Sequence, residues 1–280
     1  MDTKKVWLVT GASKGLGLSL VKTLLNHGYR VAATSRSLKA LESAVGGHKD
    51  FLPLQVDLMN EESVDSGIAE VLNTFGQLDV VVNNAGYGQN GTLEEISDQE
   101  ARQNFDVNVF GLLNVVRKSM PHLREQQSGH IFNIASVAGL LGNFPGFGIY
   151  CATKFAVVGL TEALSAEAES FGIKTTVVYP GYFRTEFLSD DSLKLAKNRM
   201  DIYAKARASE RLHKEEISGN QLGDPDKAAE VLIQVAESEN PALHLFLGSD
   251  AYGMAHQKLE TLETALETNK ELSYSTDFKN

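Results

Sequence analysis

The sequence predicts an α/β fold in which helices cover both faces of a parallel sheet. Short apolar runs of strand length, most of them rich in Val, Ile and Leu, alternate with longer segments of helical pattern. Buried parallel strands have this composition, and the alternation is typical of βαβ units. The runs that we interpret as seven strands span residues 6–10, 30–34, 51–56, 79–83, 130–135, 174–179 and 243–247.

Helix boundaries in the sequence support the same fold class. Gly28, Gly76 and Gly172 each follow an apolar helical segment, and glycine readily adopts the left-handed conformation that ends a helix. Further along, Asp224 and Pro225 have the pattern of an N-cap and a first helical residue. Because no internal repeat, low-complexity tract or linker interrupts the chain, we expect a single domain over residues 1–280.

Composition and charge exclude several classes of protein. The 280 residues carry a net charge of −10 and the pI is about 5.2, so broad attraction to nucleic acid or to an anionic membrane is not expected. The lone cysteine, Cys151, excludes an intramolecular disulfide and fits a reducing compartment. Since a strand begins at Val6 and no uninterrupted apolar run reaches membrane-spanning length, we expect a soluble cytoplasmic protein.

The interval 186–222 breaks the alternation of strands and helices. An insertion after the sixth strand lies at the carboxyl ends of the strands, where open α/β sheets bind ligands, so we interpret it as a substrate lid. The alternative is a solvated excursion with no role. Its charged stretch 199–214 is interpreted as a solvated face. The interval also contains four apolar residues at helical spacing, namely Leu193, Ala196, Met200 and Tyr203.

The tail is predicted to form one more helix, over residues 251–272. We expect its apolar side to pack on the domain or on a partner subunit, and the residues on that side are Met254, Leu259, Leu262 and Leu266.

A glycine-rich turn joins the first predicted strand to the first predicted helix. Residues 10–17 read Thr-Gly-Ala-Ser-Lys-Gly-Leu-Gly, with glycines at 11, 15 and 17. Glycines let the backbone approach a pyrophosphate closely, and the helix N-terminus that follows supplies unpaired N–H groups. The spacing departs from the general dinucleotide fingerprint because Leu20 takes the place of a third glycine. A purely structural turn is the alternative, but the position between strand and helix favours dinucleotide binding.

The end of the second strand indicates which dinucleotide is bound. A carboxylate there accepts hydrogen bonds from the ribose of NAD, whereas an arginine accommodates the 2′-phosphate of NADP. The sequence after this strand is Ser35-Arg36-Ser37, without an acid, and Lys14 adds a second cation from the glycine turn. A guanidinium and an ammonium suit a phosphate, so the pair favours NADP(H), with NAD as the alternative.

Tyr150 and Lys154 are candidates for acid–base chemistry. Residues four apart lie on one face of a helix, and an ammonium beside a phenol favours the phenolate and lowers the tyrosine pKa. A tyrosine tuned in this way can exchange a proton with a carbonyl or carbinol oxygen. An exposed pair without a role is the alternative for an isolated Tyr-x-x-x-Lys, and Ser136, fourteen residues upstream, counts against it.

These residues together resemble the short-chain dehydrogenase/reductase family, in its compact single-domain branch. The resemblance runs over residues 6–185, with weaker likeness as far as residue 247. The matching motifs, in chain order, are Thr10-Gly11-x3-Gly15-x-Gly17, Asp57, Asn83-Asn84-Ala85-Gly86, Asn108, Ser136, Tyr150-x3-Lys154, and Pro180-Gly181 followed by Thr185. The stretches 180–187, 223–225 and 247–251 look most like members related to 17β-hydroxysteroid and retinol dehydrogenases.

The resemblance implies a Rossmann fold, a doubly wound seven-stranded parallel sheet. It also implies an NADPH-dependent enzyme that interconverts a ketone or aldehyde and an alcohol by hydride transfer. Tyr150 would be the general acid and base, Lys154 would lower its pKa and hold the nicotinamide ribose, Ser136 would stabilise the substrate oxygen, and Asn108 would position a water.

The cofactor contacts that follow from the resemblance include Asp57 on the adenine amino group and Thr185 on the carboxamide. The full set that we expect is Gly11, Ser13, Lys14, Gly15, Leu16, Gly17, Arg36, Asp57, Leu58, Asn83, Ala85, Gly86, Tyr150, Lys154, Pro180, Gly181 and Thr185.

One departure from the family pattern concerns the distance from Ser136 to Tyr150, which is one residue longer than usual. The glycine-rich stretch 139–148 should absorb the extra residue, and its Phe144 and Phe147, with Tyr182 and Phe187, are candidates for an apolar substrate pocket. The family also implies a homo-oligomer, a dimer or tetramer, formed through the helices that carry Asn108 and Tyr150.

The histidines and the lone cysteine do not point to further chemistry. The seven histidines show no metal-ligand spacing, so no metal site is predicted, and Cys151 is interpreted as a small buried hydrophobe. A cofactor-binding sensor or scaffold without turnover, and a methyltransferase on the same kind of sheet, are alternatives to the enzyme. The set Asn108, Ser136, Tyr150 and Lys154 favours the enzyme, because a protein that only binds has no need of an activated phenol.

Overall fold

The computed structural model describes residues 4–278 and contains a seven-stranded sheet with the strand order β3-β2-β1-β4-β6-β7-β9, in which every neighbouring pair is parallel. All seven strands predicted from the sequence are confirmed, with ends that differ by at most one residue. The strands are β1 (Val6–Val9), β2 (Arg30–Ser35), β3 (Phe51–Gln55), β4 (Val80–Asn83), β5 (Gly88–Asn90), β6 (Gly129–Ile134), β7 (Ile173–Pro180), β8 (Leu193–Leu195) and β9 (His244–Leu247).

Helices cover both faces of this sheet, which makes the fold the doubly wound α/β arrangement that the sequence predicts. The helices are α1 (Gly15–Asn26), α2 (Leu38–Val45), α3 (Glu61–Phe75), α4 (Asp98–Phe105), α5 (Gly111–Gln126), α6 (Gly148–Ala168), α7 (Ala204–Arg211), α8 (Pro225–Ala236), α9 (Ser249–Thr268) and α10 (Lys270–Tyr274). Two π-helical segments, Asp106–Phe110 and Leu212–Ile217, lie between α4 and α5 and directly after α7.

Alternation along the strands divides the core into two layers. Val6 and Leu8 of β1 face a cluster completed by α3, α5 and α6, whereas Trp7 and Val9 face α1, α2 and α8. Because both sides of every central strand are buried in this way, the strands appear in the sequence as continuous apolar runs.

The predicted helix boundaries are confirmed where special residues define them. Gly28, Gly76 and Gly172 have φ values of 75°, 78° and 68°, in the left-handed region that suits glycine. Asp224 caps α8, since its side chain accepts hydrogen bonds from the N–H groups of Asp226 and Lys227, and Pro225 takes the first helical position.

Helix α6 and the turn after it form the most apolar long helix. Within Gly148–Phe171 an 18-residue window has a mean hydropathy of 1.2, enough by length and composition alone to cross a membrane, although Lys154 and Glu162 interrupt the segment and no uninterrupted apolar run has that length. In the fold, α6 packs on β7 and contributes Val157, Leu164 and Ala168 to the core. The interior position of this helix in an α/β domain accounts for its apolar composition.

The insertion 186–222 differs from the sequence prediction in its structure. The apolar spacing suggested a helix through Leu193 and Tyr203, but Leu193–Leu195 is strand β8, which pairs with β5 in a separate two-stranded sheet. The helix begins only at Ala204. Leu193 and Ala196 are buried because the sheet partner covers them, so the helical interpretation of their spacing was wrong.

The stretch 199–214 is also more buried than its charges suggested. Arg207 is 9 % exposed and forms an ion pair with Glu95, 2.8 Å from Nη2 to Oε2, while Glu210 and His213 are buried beside it. Burial alone would raise the pKa of Glu95, but the N–H groups of Met200 and Thr92 and the Arg207 guanidinium outweigh it and lower that pKa. The interpretation as a solvated face was therefore wrong for these residues.

The C-terminal helix is confirmed as a helix, but most of its apolar side does not pack on the domain. Only Ala251 and Ala255 of α9 are buried, whereas Leu259, Leu262 and Leu266 are 62 %, 47 % and 70 % exposed. We expected the apolar side to pack either on the domain or on a partner subunit, and these three leucines do not pack on the domain.

Arg207→Met tests whether the buried ion pair holds the insertion in place. The substitution leaves the carboxylate of Glu95 buried without its cation, so we expect the free energy of unfolding to fall by about 3 kcal/mol or more. Urea unfolding measures this. Arg102→Met is the matched control because the Arg102–Asp98 pair is 74 % and 79 % exposed, and it should have no measurable effect. Equal small effects in the two variants would show that Arg207 does not anchor the insertion.

Candidate active site

A cleft of about 1110 Å³ opens at the carboxyl ends of the strands. It lies where the strand order reverses, between β1 and β4, which is the point where open α/β sheets bind ligands. The loops after β1, β2, β3, β4, β6 and β7 all contribute to its walls, together with the insertion 186–222. Ten of the residues that we expected to contact a cofactor come from the first 86 positions and line this cleft. They are Gly11, Ser13, Lys14, Gly15, Leu16, Arg36, Asp57, Leu58, Ala85 and Gly86.

The glycine turn fits the close backbone approach expected of a pyrophosphate cradle. Gly11 and Gly15 have φ values of 64° and 61°, so both positions favour glycine. A Cβ on Gly11 would lie 2.7 Å from Cα of Ala85, so the loop after β4 packs directly on this turn. The N-terminus of α1 begins at Gly15, and its unpaired N–H groups are available to an anion.

Asn84 holds the turn in shape, and the sequence analysis assigned it no role. Its Nδ2 donates to the carbonyl oxygens of Thr10 and Gly11, at 2.9 and 3.1 Å, and contacts the position that a Cβ on Gly17 would take. Gly17 therefore lies beneath the cradle and does not line the cleft. Asn83, which was expected to line it, also lies outside, because its Nδ2 donates to Oδ1 of Asn133 between β4 and β6.

Strand alternation explains why Asn83 and Asn84 differ. Asn83 is the last residue of β4 and is 3 % exposed, so its side chain joins the sheet interior. Asn84 comes one residue later, at the mouth of the cleft. The period of two along β4 was the signal that could have separated them.

The side of the cleft next to β2 carries cations and no carboxylate directly after that strand. Arg36 and Lys14 both line it, with Ser35 at the end of β2 and Ser37 directly before α2. Asp57, after β3, lies on the same side, and its Oδ1 accepts from the N–H of Met59. These groups suit a ribose that carries a phosphate next to an adenine ring.

The loop after β7 closes the cleft over the glycine turn. Pro180, Gly181 and Thr185 line it, and Cβ of Thr185 would lie 3.8 Å from a Cβ on Gly15. Asp250 of α9 fixes the loop, since its Oδ2 accepts from the N–H of Tyr182 at 2.7 Å. No pattern in the sequence pointed to this contact from Asp250, which lies 68 residues away.

Tyr150, Lys154 and Ser136 meet at the centre of the cleft. Helix α6 places Tyr150 and Lys154 on one face, with Lys154 Nζ 5.9 Å from the centre of the tyrosine ring. Lys154 Nζ donates to the carbonyl oxygen of Ile134 at 2.8 Å, which ties α6 to the end of β6. Ser136 follows that strand end, and its Oγ accepts from the N–H of Ala138.

The pKa of Tyr150 differs in direction from the sequence expectation. Burial raises it, and the hydrogen bond to Ser136 offsets only part of the increase. Burial also lowers the pKa of Lys154 to about 8. The expected lowering of the tyrosine pKa by Lys154 was wrong for this structure because both groups are buried and the ammonium hydrogen-bonds Ile134. A raised pKa favours the neutral phenol form of Tyr150.

Asn108 lies behind the cleft, in the first π-helical segment. Its Oδ1 accepts from the N–H of Tyr87, and its Nδ2 donates to the carbonyl of Tyr87 and to Oγ1 of Thr153. The side chain thus connects the loop after β4 to α6, one residue before Lys154. A π-helical turn in an α-helix is often found at a functional site.

The loop between Ser136 and Tyr150, which we expect to be one residue longer than is usual in the family, leaves the two side chains within hydrogen-bond reach. A Cβ on Gly139 would lie 2.8 Å from the carbonyl oxygen of Lys154, so the turn after Ser136 packs directly on α6. Gly146, with φ of 85°, then turns the chain into α6. The contact at Gly139 and the turn at Gly146 thus define the two ends of this loop.

The substrate end of the cleft is aromatic, with polar groups at its edge. Phe144, Phe147, Tyr182 and Phe187 all line it, and the rings of Phe147 and Phe187 lie 6.5 and 5.9 Å from that of Tyr150. The polar residues Gln89, His213 and Gln221, which the sequence analysis did not single out, are buried there. Nothing in their sequence context marks them.

Cys151 and the histidines are the two features from which we expected no chemistry. Cys151 is 3 % exposed, and burial raises the pKa of its thiol to about 11, as suits a packed side chain. Within residues 4–278, no group of three His, Cys, Asp or Glu side chains is arranged to hold a metal ion.

The chain belongs to the short-chain dehydrogenase family, whose model matches residues 5–196. It is 34 % identical over 275 residues to Oxidoreductase BOA17 of Botryotinia fuckeliana, covering 97 % of this chain and 99 % of that protein. Among solved structures, it is similar to a short-chain dehydrogenase from Streptomyces avermitilis, with a TM-score of 0.90 and 34 % identity over 99 % of this chain and 100 % of the other.

Two further structures in the family were solved with a nicotinamide cofactor. A 3-ketoacyl-(acyl-carrier-protein) reductase from Brucella melitensis, complexed with NADH, has a TM-score of 0.72 and 27 % identity over 86 % of this chain and 96 % of that one. ElxO with NADP bound has a TM-score of 0.72 and 28 % identity over 87 % and 97 %. The chain is therefore an oxidoreductase of a family that binds nicotinamide dinucleotides.

Gly11→Ala tests the cradle. The new Cβ would meet Ala85 at a residue with left-handed φ, so we expect binding of NADP⁺ or NAD⁺ to weaken about tenfold or more, equivalent to about 1.4 kcal/mol. Titration calorimetry measures it. Gly46→Ala is the matched control, because Gly46 also has positive φ but no atom lies within 4 Å of its Cβ position and it is outside the cleft. Unchanged binding in Gly11→Ala would mean that the dinucleotide lies elsewhere.

Proposed function

We propose that the protein is an NADPH-dependent carbonyl reductase that interconverts a ketone or aldehyde and an alcohol. The observation that carries this proposal is the buried phenol of Tyr150 beside the hydroxyl of Ser136 and the ammonium of Lys154, at the inner end of a cleft built for a dinucleotide. The aromatic walls favour a small to medium, largely apolar substrate.

The residues of the cleft fit NADPH. The glycines at 11 and 15 line the cleft with bare backbone that a pyrophosphate could approach closely, and Arg36 with Lys14 would hold the 2′-phosphate. When bound, the cofactor supplies the hydride. Thr185 and Lys154 would hold its nicotinamide end, since both line the inner part of the cleft.

The residues around the reacting oxygen each have one task in reduction. Ser136 donates a hydrogen bond to the substrate carbonyl oxygen and stabilises the negative charge that develops there. Tyr150 then donates its proton to that oxygen. The Lys154 ammonium, fixed by Ile134, stabilises the phenolate left on Tyr150. In oxidation the same phenolate would accept the proton of the alcohol.

The dependence on NADPH over NADH rests on Arg36 and Lys14. An NAD-preferring alcohol dehydrogenase is the second candidate, because one related structure carries NADH and another carries NADP. The lack of a carboxylate directly after β2 favours NADPH. A protein that binds the cofactor without turnover is the third candidate, and it gives no role to a phenol buried against a serine.

Tyr150→Phe tests the proposal, with oxidation of NADPH and NADH followed for 2-decanone and a panel of ketones and aldehydes. We expect turnover with NADPH to exceed turnover with NADH, and kcat to fall by a factor of about 10² to 10⁴ in the variant, the usual contribution of a positioned acid. Cys151→Ala, a change at the adjacent buried residue, should keep the wild-type kcat. Cofactor binding without turnover on any compound would contradict the proposal, and equal rates with NADH would contradict the cofactor.

The pH dependence should be governed by Lys154. Its pKa is lowered to about 8, so the ammonium is present below that pH and is lost above it, while Tyr150 keeps its proton because its pKa is raised. The kcat/KM for reduction should be flat up to pH about 8 and then fall toward tenfold per pH unit. In Lys154→Arg, whose guanidinium keeps its charge, the decline should move above pH about 10. A decline that stays at the same pH in that variant would assign the titration to Tyr150.

A further inference from the structure

A group of polar side chains is buried beside the reacting centre but has no task in the reaction described above. His213 and Gln221, both from the insertion, are 6 % and 3 % exposed and line the aromatic end of the cleft with Tyr182. Gln89 of β5 is also 3 % exposed and lines the cleft. An apolar substrate would gain nothing from them, and burying polar groups without partners is unfavourable.

The hydrogen bonds of His213 determine whether the Tyr182 hydroxyl can donate to a ligand or accept from it. His213 Nδ1 lies 2.7 Å from the carbonyl oxygen of Ser209, which can only accept, so Nδ1 carries the proton. Burial lowers the pKa of His213, so the ring is neutral and its Nε2 is an acceptor. The Tyr182 hydroxyl, 2.9 Å from Nε2, must then donate to it. The lone pairs of the Tyr182 oxygen remain, so this hydroxyl presents an acceptor.

Gln221 supplies an amide from the adjoining segment. Its Oε1 is buried and has no hydrogen-bond partner among residues 4–278, and the same is true of Nε2 of Gln89. Two residues after Gln221, the N–H of Gly223 donates to the carbonyl oxygen of Tyr182 at 3.0 Å, which brings the two segments together. An amide offers either its oxygen or its N–H by rotation, so it pairs with a group that both donates and accepts.

We propose that Tyr182, positioned by His213, and the amide of Gln221 form a subsite for a hydroxyl group of the substrate that is distinct from the reacting oxygen. A hydroxyl can donate to the Tyr182 oxygen and accept from the amide, which satisfies both buried groups. The substrates would then be hydroxyketones, or the matching diols in the reverse direction. The inference rests on the proposed function, because it adds one recognised group to the substrate of the same cleft.

The position of Tyr182 keeps this second hydroxyl close to the reacting one. Tyr182 and Tyr150 are near enough for the charge of one to raise the pKa of the other. The ring of Phe147 contacts both, with its centre 4.7 Å from that of His213 and 6.5 Å from that of Tyr150, and it offers an apolar surface next to each. A carbon chain can span that surface with an oxygen at each end, so we expect the two oxygens to be separated by only a few carbons.

The test compares 2-decanone with 3-, 4- and 5-hydroxy-2-decanone in wild type, Tyr182→Phe and Gln221→Met. For the best hydroxyketone we expect kcat/KM to exceed that of 2-decanone by about tenfold or more, as two added hydrogen bonds would give. The ratio of these two kcat/KM values should fall about tenfold in each variant. Tyr179→Phe is the matched control. Its hydroxyl also pairs with a histidine, His244, at 3.0 Å, but lies outside the cleft, so the ratio should not change.

A binding measurement separates failure of this inference from failure of the proposed function. Calorimetric titration of the full chain, with and without NADP⁺, compares 2,4-decanediol with 2-decanol in the same variants. If no ketone is reduced but the diol binds more tightly and loses that advantage in Tyr182→Phe, the subsite stands and the reductase does not. Reduction with no preference for hydroxyketones, or a ratio that falls equally in Tyr179→Phe, would overturn the subsite and leave the reductase intact.

Discussion

The hydrogen bond from Lys154 to the carbonyl of Ile134 is the contact on which the geometry of the site depends. It connects α6, which carries Tyr150, to the end of β6, from which the chain continues directly to Ser136. Gly139 also packs against the backbone of α6, and the side chain of Asn108 donates a hydrogen bond to Thr153 of the same helix. Helix α6 thus fixes Tyr150, Ser136 and Lys154 relative to the sheet, so that loops elsewhere can vary without moving them.

The same contact explains the electrostatics of the centre. Lys154 is 5 % exposed, and among residues 4–278 its ammonium donates to a neutral carbonyl and pairs with no carboxylate, so it is stabilised by a dipole and not by a counterion. A buried cation without a carboxylate partner favours an anion nearby, and in the mechanism that we propose this anion is the phenolate of Tyr150. The charge pair of that mechanism would form only during the reaction, where it lowers the barrier.

The sheet, the helix ends and the residues of the cradle could be predicted from the sequence because each has a local cause. Strands buried on both faces are apolar, Gly28 and Gly76 take left-handed φ, and Tyr150 and Lys154 share a helix face. The roles of Asn84, Asp250 and Gln221 could not, since each depends on a partner distant in the chain. The pKa of Tyr150 was predicted in the wrong direction because spacing along a helix contains no information about burial, which is the largest effect.

The insertion shows most clearly where local pattern stops being informative. Leu193 and Ala196 fit a helix by spacing, but the edge formed by Gly88–Asn90 pairs with this segment as a strand, and tertiary pairing outweighs a short apolar period. Charges that looked solvated are instead buried, since Arg207 forms ion pairs with both Glu95 and Glu210. Polar burial of this kind adds little stability, since desolvation offsets the attraction, but it specifies one arrangement. That arrangement brings His213 and Gln221 to the cleft. His213 lies in the second π-helical segment, as Asn108 lies in the first, and such segments are often found at functional sites.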